Sequence, residues 1–92
     1  MSSDAGRVLP IVNEKGLHAR ASAKFVELVE RFDAEAQVSR DGMTVSGDSI
    51  MGLLMLAASR GSQITLKTTG PQAEELAAEL EALVARRFDE DR

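Results

Sequence analysis

The sequence predicts an α+β protein in which an antiparallel sheet is covered on one face by helices. Apolar residues switch repeatedly between strand and helix period, in the order β, α, β, β, α, β, α. The pair Asp41-Gly42, between two alternating runs, supplies a two-residue hairpin turn. Pro10 interrupts the first strand-like run, and because proline cannot donate a ladder hydrogen bond, that strand is assigned to a sheet edge. Element order leaves strand order open: a ferredoxin-like sheet and other two-layer arrangements suit the same string.

Each element has its own signals. Residues 1–6 are small and polar and are expected to fray, leaving Arg7–Val12 as the first strand. Asn13–Gly16 forms a turn. From Ala19, the residues Ala21, Phe25, Leu28, Val29 and Phe32 share one helical face, while Lys24, Glu27, Glu30 and Arg31 point away. Ala36 and Val38 alternate before the Asp41-Gly42 turn, and Met43 and Val45 alternate after it. A second helix starts at Asp48 or Ser49 as N-cap and is expected to run to Gly61, with Arg60 in its last turn. Gln63–Thr69 alternates Ile64, Leu66 and Thr68 against polar residues, as a half-buried strand does. Gly70 and Pro71 then open a third helix, with Pro71 at its first helical position and Glu74 and Glu75 favouring its N-terminus. Its apolar stripe is Ala73, Leu76, Ala77, Leu80, Leu83, Val84 and Phe88.

Composition excludes several functions. With 92 residues the chain is expected to form one domain. There is no cysteine, which removes disulfides, thiolate metal sites and cysteine nucleophiles, and no metal or other cofactor is expected. Fifteen acidic residues against eleven basic ones give a net charge of −4, so no broad basic face exists for nucleic acid or anionic lipid. No apolar run approaches the ~20 residues that span a bilayer. A cytoplasmic protein without membrane contact is expected.

The stretch KGLHARASA, residues 15–23, holds the single histidine, His18. It lies at a loop-to-helix junction, where the first backbone N–H groups lack partners and attract anions. Arg20 adds a planar fork of donors suited to phosphate oxygens. Taken alone, a histidine at such a junction is more often a bystander than a functional group. The second helix is apolar around much of its girth: Ile50, Leu53, Leu54 and Ala57 form one stripe, and Met51, Met55 and Ala58 another. Either a loop covers the excess or Ile50, Met51 and Leu54 form a patch for a protein partner. Ser49 is by default an N-cap.

GLHARASA after an edge-like strand, SGDSIMGLLMLAASRGSQI about thirty residues on, and TGPQAEELAAELEALV near the end together resemble the HPr family of histidine phosphocarriers of the bacterial phosphotransferase system. RFDAEA, LLMLAA, TGPQAEE and FDED are most similar to its nitrogen-related branch, NPr. The resemblance implies an open-faced β-sandwich with strand order 1-4-2-3 over residues 1–92, covered on one face by three helices, and a monomer. It implies a covalent carrier in a relay rather than a free-standing enzyme: His18 receives a phosphoryl group on Nδ1 from enzyme I, charged by phosphoenolpyruvate, and hands it to a IIA-type protein. Arg20 matches the arginine beside the phosphate. Ser49 matches the serine modified by HPr kinase/phosphorylase in some members, and Ala19, Lys24, Ile50, Met51 and Leu54 match the docking surface. Ala21 stands where the family usually has proline, and Glu27 and Glu30 where some members have lysine. Two other readings keep the same residues: a regulatory binding module acting through Ser49 and the second helix, and a small ligand-binding domain that shares only the element order.

Overall fold

Alternation, turn chemistry and helical stripes resolve into eight elements, described for residues 3–90 in a computed structural model. These are β1 (Ser3–Pro10), α1 (Ala19–Val29), β2 (Glu35–Arg40), β3 (Met43–Ser46), α2 (Ile50–Met55), β4 (Gln63–Gly70), α3 (Ala73–Ala85) and a short 3₁₀ turn, Arg87–Asp89. The sheet is antiparallel, in the order β1-β4-β2-β3, so β1 lies at an edge as Pro10 requires. Asp41 and Gly42 both have positive φ, the geometry of the turn that joins β2 to β3.

One cluster of buried apolar side chains fills the space between sheet and helices. Val38 from β2 and Ile64 and Leu66 from β4 face Phe25 and Val29 of α1, Leu53 of α2, and Leu76, Leu80, Leu83 and Val84 of α3. Each such large side chain taken out of water stabilises the fold by about 1.5–3 kcal/mol.

Several boundaries differ from those expected. The first strand ends at Pro10 rather than Val12, and α1 ends at Val29, short of Phe32. The first strand reaches back to Ser3, because Ser3 to Gly6 pair with Gly70 to Lys67 of β4; Met1 and Ser2 lie outside the described residues. The second helix stops at Met55 rather than near Gly61. Its last N–H groups tighten onto Leu53 and Leu54, Arg40 Nη1 binds the Leu56 carbonyl at 3.0 Å, and Ala57 turns left-handed. Pro71 precedes the third helix instead of opening it: Gln72 is the N-cap, and Gln72 N–H is drawn to the Asp33 carbonyl at 3.0 Å. Phe88 is buried as the stripe requires, but in the left-handed turn after α3, not in the helix.

The loop that α2 releases builds the floor under α1. Leu17 N–H donates to the Ala58 carbonyl at 2.9 Å, and Gly16, with φ of 67°, packs so tightly there that a Cβ would sit 2.5 Å from that oxygen. Any side chain at position 16 would push the start of α1 away from the core.

Candidate functional site

His18 is the N-cap of α1, with extended backbone angles, and its side chain makes no capping bond. The helix proper begins with Ser22 N–H donating to the His18 carbonyl at 2.8 Å, so the amides of Ala19, Arg20 and Ala21 precede the first intrahelical bond. His18 N–H donates to the Gly16 carbonyl at 3.0 Å, and buried Leu17 anchors the residue before it. Backbone and packing hold the imidazole in place without using it as a cap. Ala21 is fully buried on the inner face of α1.

The ring is reached from the far end of the chain. His18 Nε2 and Glu90 Oε2 form a hydrogen bond, and Glu90 Oε1 accepts from Asn13 Nδ2 at 3.0 Å. Asn13 is fully buried and donates also to the Gly16 carbonyl at 2.8 Å. Phe88 is fully buried, and its carbonyl accepts from Lys24 Nζ at 2.7 Å. Burial opposes ionisation of Glu90, but the hydrogen bonds from His18 and Asn13 and the charges of His18 and Lys15 outweigh it. Its carboxyl is held below the ordinary carboxylate range.

An open cleft of about 700 Å³ adjoins the ring, lined by Glu14 and Lys15 of the preceding turn, Ala19, Arg20 and Lys24 of α1, and Asp89 and Glu90 after α3. Arg20 is exposed, and among the described residues its guanidinium forms no ion pair. Four expected site residues, His18, Ala19, Arg20 and Lys24, therefore meet in one place. Lys24 is partly committed there, to the Phe88 carbonyl.

The other four lie apart from the cleft. Ile50 and Met51 are exposed and Leu54 is half-buried, on a helix that packs against α1. Met55, 64% exposed, extends the same apolar surface. Ser49 caps α2, its Oγ accepting from Gly52 N–H at 3.0 Å. Asp48 accepts from Ser46 Oγ at 2.6 Å. No helix is long and apolar enough to cross a membrane, and no cluster of three or more potential metal ligands occurs among the described residues.

Sequence reasoning missed Asn13, Phe88 and Glu90 as parts of this site. Asn13 carried only a turn signal, while Phe88 carried a core signal and, with Glu90, a place in the FDED stretch that marked a resemblance without a role. Glu90 lies 72 positions from His18 and belonged to an acidic close with no period of its own.

A histidine at a helix N-terminus, followed two residues on by an arginine, in a protein whose sheet is ordered 1-4-2-3, is an arrangement shared with known proteins. Residues 6–86 match the family described as the PTS HPr component phosphorylation site. Phosphocarrier protein HPr of Cupriavidus necator is 50% identical over 80 residues, 87% of this chain and 90% of its own length. Phosphocarrier protein NPr of Escherichia coli K12 is 42% identical over 86 residues, covering 92% and 96%. The crystal structure of HPr from Thermoanaerobacter tengcongensis superposes with a TM-score of 0.91 at 33% identity, over 96% of this chain and 99% of that one. The chain belongs to the HPr family of phosphocarriers of the phosphotransferase system. Relatives named HPr and NPr both match, so the family rather than one branch is what the similarity defines.

Proposed function

We propose that this chain is a phosphohistidine carrier in which His18 accepts a phosphoryl group on Nδ1 from enzyme I, charged by phosphoenolpyruvate, and passes it to a IIA-type protein of a sugar or nitrogen-related system. The observation that carries the reading is the setting of His18: it caps α1 with a side chain not spent on capping, beside an exposed Arg20 without an ion pair among the described residues. A neutral imidazole nitrogen is nucleophilic near neutral pH, and the phosphoramidate that it forms retains a high transfer potential. Arg20 and the first-turn amides supply donors to the phosphoryl oxygens without a deep cage of cations that would trap the group.

Partners dock, in this proposal, on Ala19, Lys24, Ile50, Met51 and Leu54, the apolar part of which is exposed or half-buried. One surface serving donor and acceptor in turn suits a small, short-lived interface. Ser49 is the proposed regulatory position for HPr kinase/phosphorylase; its Oγ accepts from Gly52 N–H through one lone pair and keeps a second. The carrier acts as a cytoplasmic monomer comprising residues 1–92 as one domain, without metal or cofactor. Solved relatives that are described as dimers, among them an HPr of T. tengcongensis, make sedimentation the check on the monomer. The central test is incubation with phosphoenolpyruvate and enzyme I. Wild type acquires an acid-labile, base-stable phosphate and His18→Ala does not; equal labelling of the variant removes His18 from the mechanism.

A further inference from the structure

The contact between His18 and Glu90 crosses almost the whole chain, and several separate features hold it in place. Phe88 is fully buried and fixes the segment to the core. Lys24 Nζ ties down the Phe88 carbonyl, and Asn13, itself fully buried, donates to Glu90 Oε1. Arg87, Phe88 and Asp89 all have positive φ, between 54° and 63°. Three successive non-glycine residues in the left-handed region are costly, and such backbone persists only where its surroundings hold it. The turn reverses the chain after α3 and delivers the Glu90 carboxylate to the imidazole.

We propose that Glu90 is a positioning residue for phosphoryl transfer, its carboxylate holding the Nε2–H of His18 so that the unprotonated Nδ1 faces the cleft and the ring stays protonated at Nε2 throughout the transfer. This rests on His18 being the phosphoryl acceptor. An ionised carboxylate only accepts hydrogen bonds, so the ring nitrogen facing it carries the proton and the other keeps its lone pair. In the transfer step the Nδ1 lone pair forms a bond to phosphorus as the bond between phosphorus and the donor's leaving atom breaks, that electron pair remaining on the donor. No proton leaves Nε2. The ring of the product carries a positive charge, balanced by Glu90. Onward transfer returns the electron pair to Nδ1 and discharges the ring, so the same contact serves both directions. In this proposal Glu90 acts on the transfer through His18.

Glu90→Gln keeps the shape of the side chain but brings an amide that can donate to Nε2, which favours the opposite tautomer. The ¹⁵N shifts of the neutral His18 ring read this directly. Wild type is expected with the proton on Nε2, and Glu90→Gln with a raised share on Nδ1. Phosphoryl acceptance from enzyme I is expected to fall about tenfold or more, by the logic through which a wrong histidine tautomer disables buried acid–base triads. Glu90→Asp, which keeps the charge on a shorter arm, is expected to retain more of the wild-type tautomer and rate than Glu90→Gln. A purely structural role predicts equal losses in both variants with no change in tautomer, and that result overturns the proposal. So does a Glu90→Gln protein with wild-type tautomer and rate. An unlabelled wild type instead overturns the acceptor role of His18, while the tautomer comparison still decides whether Glu90 orients the ring.

Discussion

Two helices of this protein begin with residues that can carry a phosphate, and they use them in opposite ways. At the start of α2, Ser49 spends its hydroxyl on Gly52 N–H, at 3.0 Å. At the start of α1, His18 has the same extended N-cap backbone but makes no side-chain cap, and its ring is held from outside the helix by Glu90. One side chain stabilises its own helix. The other is kept clear of its helix, with the helix amides left beside it. The contrast teaches that two helix starts with the same extended backbone can leave the side chain in different states, one engaged by its own helix and one clear of it.

The contrast can be broken at several points. Phe88→Ala removes the anchor beneath the left-handed turn and is expected to cost about 3–5 kcal/mol of stability, as loss of a buried phenylalanine does. Urea unfolding measures it, and the His18 ring of the surviving folded protein should lose its Nε2 contact. Arg20→Ala removes an exposed cation without touching the core. It is expected to slow phosphoryl acceptance by about ten- to a hundredfold, through loss of charge-assisted bonds to the phosphoryl oxygens, with little change in thermal stability. Ser49→Ala takes away a capping bond and is expected to cost about 1 kcal/mol, seen as a lower urea midpoint and faster amide exchange in α2. The cost falls on α2, not on the His18 ring.

A smaller effect is expected on acidification. The Glu90 carboxyl titrates below its ordinary value near 4.5 when the chain is folded. Because the folded value is the lower one, its stabilising contribution is fully present above the unfolded value. It is lost as the pH falls from there through the folded value. Amide signals of Phe88, Asp89 and Glu90 should therefore move in that acid window, together with the Asn13 side-chain amide, while Gly52 N–H stays bonded to Ser49.

Much of the fold was legible because its signals are local. Pro10 marked the sheet edge, Asp41-Gly42 the hairpin, and the stripe from Ala73 to Val84 the inner face of α3. The boundaries that shifted are those decided by distant partners: Arg40 takes the Leu56 carbonyl, Leu17 takes that of Ala58, and Asp33 engages Gln72. In the site, His18 and Arg20 are neighbours in sequence and share a helical turn, so their proximity was readable. Glu90 was not, since its place depends on the burial of Phe88 and on a left-handed turn over Arg87, Phe88 and Asp89 toward which Asp89 alone has any intrinsic inclination.

The most direct test is the position of the phosphate on the imidazole, read by ³¹P–¹⁵N coupling after charging the ¹⁵N-labelled protein with phosphoenolpyruvate and enzyme I. The account predicts phosphorus bonded to Nδ1 of His18 with the proton still on Nε2. Phosphorus on Nε2, the nitrogen that Glu90 occupies, or on any residue other than His18, would contradict it.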